Sequence, residues 1–338
     1  MPNKKFSIKH IAAQAAVSIA TVDRVINNRP GVRGYTVQRV LNAIEELEEQ
    51  SSAVKLTVKK LYVDVIMHTP KCYSTMVKES ILQILPSIQP SNVSPRFHFF
   101  EDEDLDTIAD NISHIIKNGT QGLIIKTTDD HRIRVPIDNA YDAGIPTVTF
   151  CTDIRNSKRA SFIGIDHYAA GQSAAYLMGQ WLRERDETIL ISISNYNFLN
   201  EAEREMGFRQ AIRQRHPKLK MNAVSGGLGL YEQTFNEVDQ YLDNGGEATA
   251  IYSVGGGNPA ILAAFEKHQR PISLFIGHDL DASNRSLLKE NKIHAVLEHN
   301  IERDIRHAFL HILKFHGHIK YDKPFSQSRT NIITPYNL

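Results

Sequence analysis

The sequence predicts an α/β protein in which a small N-terminal three-helix unit precedes a large two-lobed region of parallel sheet. Apolar residues recur at helical spacing through the first 50 residues, whereas from Leu61 onward short apolar runs alternate with amphipathic stretches. The 338 residues exceed one ordinary domain, and a single sheet of ten strands is unusual. We therefore expect a helical domain at 1–50, a linker at 51–60 and a two-lobed domain at 61–338.

The first two predicted helices meet at a tight corner. Their apolar stripes are Ile8, Ile11, Ala12 and Ala15 in the first helix and Val22, Val25 and Ile26 in the second. Ser18 stands just before the second stripe, where its hydroxyl can accept from the free N–H groups of a helix start, so this helix is expected to begin at about Ile19. Ala16 lies at the corner, and a left-handed backbone there costs about 1–2 kcal/mol.

Two helices joined in this way are typical of a helix-turn-helix, in which N-terminal side chains of the second helix contact base edges in the major groove. The predicted readers are Ile19, Ala20 and Arg24, of which Arg24 is the strongest because a guanidinium can bind guanine through two hydrogen bonds. The charge distribution agrees with this interpretation, since residues 1–44 hold seven Lys and Arg against Asp23 alone, in a chain of net charge +1. These cations are Lys4, Lys5, Lys9, Arg24, Arg29, Arg33 and Arg39. Phosphate contacts by such a segment give salt-dependent affinity without sequence preference.

The segment resembles the DNA-binding headpiece of the lac repressor family of bacterial transcription regulators, with the pattern A-x-x-A-x-V-S-x-x-T-V-x-R-V-x-N followed by a turn and a third helix. The matching residues are Ala12, Val17, Ser18, Thr21, Val22, Arg24, Val25, Asn27, Val32, Thr36, Arg39, Val40, Ile44 and Leu47. The resemblance implies a homodimer that binds double-stranded operator DNA. The implied contacts come from Ser18, Ile19, Ala20, Thr21, Arg24 and Asn27.

Two residues depart from the family pattern. Ala16 replaces the turn glycine, and Asp23 replaces a small hydroxyl residue. Because a carboxylate beside phosphates repels them, we expect Asp23 to pair with a neighbouring base or side chain or to point at Arg24; a cytosine amino group is a further possible partner.

The third helix is predicted over residues 36 to about 50, and the polar, basic stretch after it is the expected linker. In the family that the chain resembles, a hinge helix here folds on DNA and inserts a leucine into the minor groove. Leu56 is the candidate for that leucine. The family's proline and hinge arginine are missing, so a plain connector with Leu56 packed on its own domain is an equal alternative.

Beyond the linker, strands and helices alternate, which implies parallel sheets covered on both faces. The predicted strands are 62–67, 96–100, 122–126, 147–150, 161–165, 188–192, 221–225, 250–254, 273–277 and 295–298. The predicted helices are 107–117, 137–143, 169–183, 203–215, 231–242, 259–267 and 283–290. The closing segment around Ile332 and Ile333 is expected to be an edge strand. This whole stretch resembles the type I periplasmic-binding-protein fold that the lac repressor family uses as its effector domain.

Ligands of open α/β sheets bind beyond the carboxyl ends of the strands. At these ends Thr152-Asp153 and Asp166 are polar, and the resemblance implies that Asp166 is the acid that faces the effector. Arg204 with Gly207-Phe208 resembles the family's R-x-x-G-F element, in which arginine holds ligand oxygens. Asn258, Asp279 and His299 fall where the family places an asparagine, an aspartate and a glutamine on the ligand.

Such groups suit a neutral polyhydroxylated effector, since carboxylates and amides accept from hydroxyls and Arg204 donates. A sugar or polyol fits best, with Phe150, Tyr196 or Phe198 stacking on its ring. A nucleoside or a phosphorylated sugar is the alternative, because the glycines at 255–257 can cradle a phosphate at a helix N-terminus. Each polar residue also has an ordinary structural explanation, as a helix cap, a buried imidazole or a surface ion pair.

Other functional classes are disfavoured. No G-x-S-x-G elbow, Cys-His signature or phosphate-loop lysine indicates a sugar-processing enzyme, and an exported transport protein has no use for a basic headpiece. Cys72 and Cys151 lack metal-ligand spacing, and the acidic run 101–106 lacks the glycine of a calcium loop, so we expect no metal and no cofactor. No apolar run approaches 18 residues and the first ten lack a signal sequence, which predicts a cytoplasmic protein without a membrane partner.

Overall fold

The computed structural model describes residues 6–56, 60–88, 92–183, 186–320 and 327–338, with the side chains of 48–56 left out. The chain divides into two compact units, one formed by residues 1–60 with 90–92 and the other by the remainder. None of the helices in the described ranges combines the length and the apolar character of a membrane span.

The first unit contains the three predicted helices, α1 (Ile8–Ala15), α2 (Ile19–Ile26) and α3 (Gly34–Leu56). They enclose a small core of Ile11, Ala12, Ala15, Val22, Val40 and Ala43. The helix α3 is longer than predicted, because residues 51–56, assigned to a linker, continue it. This stretch contains neither glycine nor proline to end a helix. The side chain of Leu56 lies outside the described part, so its insertion into a minor groove stays a prediction.

The second unit contains two sheets, as predicted. The strands of the first are β1 (Leu61–His68), β2 (Val93–Phe100), β3 (Gly122–Lys126), β4 (Thr147–Phe150) and β5 (Ser161–Ile163), all parallel in the order β2-β1-β3-β4-β5. Those of the second are β6 (Thr188–Ile193), β7 (Lys220–Ser225), β8 (Ala250–Ser253), β9 (Leu274–His278), β10 (Ala295–Glu298) and β11 (Asn331–Ile333), in the order β11-β10-β9-β8-β6-β7. Only β11 is antiparallel, and it lies at the edge, where the closing segment was expected.

Helices connect the strands in each lobe. They are α4 (Lys71–Ile84), α5 (Leu105–Lys117), α6 (His131–Asp142), α7 (His167–Leu182), α8 (Leu199–Arg215), α9 (Tyr231–Asp243), α10 (Asn258–Lys267), α11 (Ala282–Lys289) and α12 (Ile301–Phe315). The strand and helix list predicted from the sequence lacks α4 and α12, although both helices have buried apolar residues at helical spacing. These residues are Val77, Ile81 and Ile84 in α4 and Ile305, Phe309 and Ile312 in α12. The acidic run before α5 has a structural role, as predicted, because Asp104 caps that helix by accepting from the N–H of Thr107 at 2.8 Å.

The chain crosses between the lobes more than once. After β10 in the second sheet, α12 buries Phe309, Ile312 and Leu313 in the core of the first lobe, beside β1 and β4. The chain then returns to the second sheet at β11. Each lobe is therefore completed by a segment distant in sequence, and the strand ends of both lobes meet at one cleft.

Two glycines allow close packing of α7 against α8. A Cβ at Gly171 would come within 1.9 Å of the Arg204 carbonyl oxygen, and a Cβ at Gly207 within 2.1 Å of the Tyr168 carbonyl oxygen. Neither backbone oxygen can move aside without shifting its helix.

We expect Gly171→Ala to lower the free energy of unfolding by about 1–3 kcal/mol, because the added methyl forces α7 and α8 apart. Urea denaturation of the purified variant measures this change. Gly34→Ala is the matched control, since a Cβ at Gly34 meets nothing within 4 Å. Equal stability of Gly171→Ala and the unmodified protein would contradict the close approach of the two helices.

Candidate functional site

The start of α2 is capped as predicted. The Ser18 hydroxyl accepts from the N–H of Thr21 at 3.1 Å and lies 2.8 Å from the Thr21 hydroxyl. Ala16 is left-handed with φ 49° and ψ 49°, and the Arg39 guanidinium donates to the carbonyl of Ala15 at 2.7 Å. Arg39 therefore stabilises the C-terminal end of α1 by donating to a carbonyl that has no partner within the helix.

One face of α2 is exposed. Val22 is fully buried, whereas Ile19 is 50% exposed and Ala20, Arg24 and Asn27 are exposed beside it. Within the described residues, the Arg24 guanidinium forms no ion pair. A free guanidinium on the exposed face of a capped helix is available to bind a base edge.

Asp23 is held by side chains of its own unit. Its carboxylate accepts from the amide of Asn27 at 2.8 Å and pairs with Arg29 at 2.9 Å. Of the partners expected for Asp23, the structure therefore shows a neighbouring side chain, and that side chain is not Arg24. Lys9 and Arg33 remain as exposed cations of this unit, while Lys4 and Lys5 lie outside the described residues.

The second candidate site is a cleft at the carboxyl ends of strands from both sheets. From the first lobe it is lined by Thr69, Pro70, Cys72, Tyr73, Lys126 and Cys151. From the second lobe it is lined by Ser194, Phe198, Asn200, Glu201, Arg204, Leu228, Gly229, the glycines 255–257, His278, Asp279, Asp281 and Asn284. The carboxyl ends of strands from both sheets thus face one cleft, which is where ligands of open α/β sheets bind.

Arg204 is a predicted ligand residue that lines the cleft and is almost completely buried. Its side chain is 3% exposed, and its Nη1 donates to the carbonyl of Val254 at 2.9 Å and lies 3.8 Å from Asp279. Its Nε has no hydrogen-bond partner among the described residues. Since a buried donor without a partner is costly, this atom is available to a ligand.

Further unpaired polar atoms lie in the same cleft. The amide oxygen of Asn200 and the Nδ1 of His278 are buried without a hydrogen-bond partner in the described part of the chain. The other ring nitrogen of His278 lies 2.9 Å from the Tyr252 hydroxyl, and burial holds the pKa of His278 well below its usual value. The cleft therefore presents a neutral imidazole and an amide beside the Arg204 guanidinium.

The acids of the cleft are differently engaged. Glu201 accepts from the backbone N–H of Ser194 at 2.8 Å and from its hydroxyl at 2.5 Å, and burial raises the pKa of Glu201. Asp281 caps α11 by accepting from the N–H of Asn284 at 2.8 Å. Asp279 has a left-handed backbone with φ 64°, and its side chain is 23% exposed. Asp279 is therefore the acid most available to ligand hydroxyls.

His299 belongs to a buried chain of polar groups behind the cleft. Its Nδ1 lies 2.6 Å from Asp304, and its Nε2 lies 3.5 Å from the sulfur of Cys151. Cys151 lines the cleft, and its sulfur lies 2.8 Å from the Tyr73 hydroxyl. His299 was predicted to touch the ligand directly, but in the structure Cys151 lies between it and the cleft.

The same contacts set the protonation of His299. Burial by itself lowers the pKa of the imidazole, but Cys151 and the Asp304 carboxylate outweigh burial and raise the pKa well above its usual value of 6.5. A group whose pKa is raised by folding stabilises the protein most below its unfolded-state pKa of about 6.5. That contribution is lost as the pH rises through the folded-state pKa.

We therefore expect the stability advantage of the unmodified protein over His299→Gln to be largest near pH 6 and to shrink as the pH is raised toward 9. Urea denaturation of both proteins at several pH values measures it. Asp304→Asn serves as the matched variant, because it keeps the ring and removes the carboxylate. An advantage that grows with pH would contradict the charged pair.

Four other predicted ligand residues do not line this cleft. Thr152 is buried, with its hydroxyl 3.4 Å from the N–H of Asn200. Asp153 forms an ion pair with Arg159, and Asp166 is exposed and caps α7 by accepting from the N–H of Ala169 at 2.8 Å. Asn258 donates to Asn284 at 2.7 Å and lines an adjacent hollow. These residues have the structural roles that strand-end polar residues commonly take.

Of the three aromatic residues predicted to stack on the ligand, one lines the cleft, and the glycine run at 255–257 lines it as well. Phe198 lines the cleft, whereas Phe150 is fully buried and Tyr196 is 49% exposed on the surface. The Glu201 carboxylate lies against Gly255, where a Cβ would come within 2.2 Å of Oε2. The Glu201 side chain therefore occupies space at the glycine run that a phosphate would need.

Sequence reasoning missed three lining residues with strong chemistry, Tyr73, Lys126 and Glu201. Lys126 is the last residue of a strand whose other members are apolar, and it was counted with the strand. Tyr73 lies on α4, which was not predicted. Glu201 lies one turn before Arg204 on α8, and that spacing was a usable signal for a shared helix face.

Both free cysteines were expected to be unpaired thiols, and the structure agrees. Cys72 and Cys151 are free, the first exposed and the second buried.

Comparison with known proteins identifies relatives of both units. Residues 94–300 match the family model described as periplasmic binding protein domain, and residues 7–48 match the model described as bacterial regulatory proteins, lacI family. Catabolite control protein A from Streptococcus mutans serotype c is 23% identical over 250 residues, which cover 73% of this chain and 72% of that protein.

Two solved structures share the fold of the second unit. GanP, a glucose-galactose binding protein from Geobacillus stearothermophilus, matches with a TM-score of 0.71 at 18% identity, covering 83% of this chain and 99% of that one. A putative LacI transcriptional regulator from Bacteroides fragilis matches with a TM-score of 0.70 at 17% identity, covering 82% and 98%. At these identities the likeness establishes the fold.

Proposed function

The chain belongs to the family with a periplasmic binding protein domain, and we propose that it is a regulator of the lacI type in which α2 reads operator DNA under the control of a small ligand in the cleft. The chain is a DNA-binding regulator rather than an enzyme. The observation that carries the proposal is that one chain holds both an exposed Arg24 on a capped helix and a cleft of buried polar atoms, and that in the described ranges neither has a bonding partner.

We propose a sugar or polyol as the ligand. Such molecules carry many hydroxyls, which both donate and accept, and the cleft offers carboxylates, amides, an imidazole and a guanidinium within one hollow. Phe198 supplies an aromatic face for a ring. Support also comes from GanP, whose name describes a glucose-galactose binding protein of the same fold.

The control is proposed to act through the angle between the two lobes. The lobes meet through the N–H of Asp129, which donates to the carbonyl of Asn197 at 3.1 Å, and through an ion pair of Arg155 with Glu203. A ligand that bridges the lobes shifts the equilibrium toward the form it binds better. A cytoplasmic homodimer passes this shift to two headpieces spaced by about one turn of DNA.

A mobility-shift assay with fragments of the native upstream region tests this proposal. We expect one fragment containing a pseudo-palindrome to shift, with an affinity that falls as salt rises and that changes on adding the cognate sugar. Unrelated DNA of the same length is the control. If no fragment shifts at low ionic strength, with or without sugars, the proposed function is wrong.

A further inference from the structure

The side chain of Lys126 is the feature of the cleft that a neutral ligand leaves unexplained. It ends β3 and is only 8% exposed. Among the described residues its ammonium group has no hydrogen bond and no ion pair, although it lines the cleft. A buried cation normally has a counterion, because taking it out of water is costly.

Two aromatic rings hold Lys126 in place. The Nζ atom lies 4.7 Å from the centre of the Phe198 ring and 5.1 Å from the centre of the Tyr73 ring. The faces of these rings attract the charge, but they supply no acceptor for the three N–H donors of an ammonium group. The donors therefore remain available on the cleft side.

The acids of the cleft do not neutralise this lysine. Glu201 is occupied by the backbone N–H and the hydroxyl of Ser194, and Asp279 lies beside Arg204. Neither acid lies within 4 Å of Lys126, since no such ion pair occurs in the described part of the chain. Burial lowers the pKa of Lys126, and the more distant charges of Glu201 and Asp279 offset this lowering only in part.

We propose that the effector is a sugar acid, whose carboxylate binds the ammonium group of Lys126 while its hydroxyls bind Asp279, Asn200 and Arg204. This inference rests on the proposed function and narrows its ligand class. A carboxylate supplies the acceptors that the two rings lack, and it forms a charge-assisted hydrogen bond with the buried lysine.

A carboxylate fits this cleft better than a phosphate ester. Arg204 lies 3.8 Å from Asp279, which leaves Lys126 as the cation that the ligand must balance. One ammonium group balances the charge of a carboxylate monoanion but only half that of a phosphate dianion. The glycine run at 255–257, where a phosphate would otherwise bind, carries the Glu201 carboxylate against Gly255.

Binding measurements with matched ligands test the inference. Isothermal titration compares neutral hexoses with the corresponding hexuronates, hexonates and hexose 6-phosphates on the full-length protein. We expect one hexuronate or hexonate to bind about 10- to 100-fold more tightly than its neutral parent. Lys126→Met should remove this preference, because it is expected to weaken the binding of the acid about 10- to 100-fold more than that of the neutral parent.

Lys158→Met is the matched control, because Lys158 pairs with Asp142 at 2.7 Å on the surface of the same lobe. Operator binding without ligand reports whether each variant is folded, and Lys126→Gln is the second variant if the methionine does not fold. The comparison of acid with neutral parent on the unmodified protein stands without any variant.

Several results would overturn the inference. Tightest binding of a neutral sugar or of a sugar phosphate would do so, as would an equal loss of acid and neutral binding in Lys126→Met. In these cases sugar sensing itself stands. If no sugar of any kind binds while operator binding is intact, the sugar-sensing part of the proposed function fails as well.

Discussion

Arg204→Met is expected to shift the response to the effector to about 10- to 100-fold higher ligand concentration while leaving operator binding in the absence of ligand unchanged. Arg204 lines the cleft with an unpartnered Nε, so its loss removes hydrogen bonds from a charged donor to the ligand. Such bonds contribute about 1.5–3 kcal/mol each, which corresponds to about a 10- to 100-fold weaker ligand affinity. Titration of the ligand and a mobility-shift assay with and without it measure the two effects.

The same substitution leaves the carbonyl of Val254 and the carboxylate of Asp279 without their guanidinium partner. We therefore also expect a loss of stability of about 1–3 kcal/mol. Arg209→Met is the matched control, because Arg209 lies on the same helix but does not line the cleft. Its Nε pairs with the Glu205 carboxylate at 2.6 Å. An Arg204→Met protein that is folded and responds at an unchanged ligand concentration would reject the cleft as the sensing site.

Arg24→Ala is expected to remove the preference for the operator over unrelated DNA. A bidentate contact of arginine with guanine contributes about 1–3 kcal/mol of discrimination at each half-site. The guanidinium of Arg24 is exposed on α2 and, within the described residues, is not engaged by an acid. Competition mobility-shift assays with operator and unrelated DNA at one salt concentration measure the ratio.

Arg24→Lys separates charge from geometry. A lysine keeps the positive charge and the attraction to phosphates but lacks the planar fork, so we expect nonspecific affinity to persist and selectivity to fall. If Arg24→Ala keeps its full selectivity for the operator, the reading of bases must lie elsewhere on α2.

The DNA-binding helices were predictable because their signals are local. A serine cap, a short apolar stripe and an exposed arginine all lie within ten residues, and the structure of α2 follows them. The length of α3 was not, because the expected linker contains residues that favour a helix as readily as a connector.

The cleft was predictable only in outline. Arg204 and Asp279 line it as expected, since strand ends and one helix of a parallel fold converge there. His299 shows the limit of such reasoning. Its neighbour Asp304 lies on α12, and its neighbour Cys151 follows β4. The two neighbours come together at His299 because α12 packs back onto the first lobe.

Asp153 and Asp166 show a second limit. An aspartate after a strand is equally suited to a ligand, to an ion pair and to a helix cap. In the structure Asp153 forms an ion pair with Arg159, and Asp166 caps the start of α7. Lys126 was not predicted as a cleft residue, because a lysine at the end of an apolar strand commonly extends its long side chain to solvent.

The proposed regulation depends on the coupling of two sites in one chain, and thermodynamic reciprocity tests this coupling directly. The measurement is the ligand dissociation constant in the presence and absence of saturating operator, together with the operator dissociation constant in the presence and absence of saturating ligand. If the two sites are coupled, both ratios differ from one and are equal to each other. Ratios of one for a ligand that binds the cleft and an operator that binds α2 would contradict the coupling.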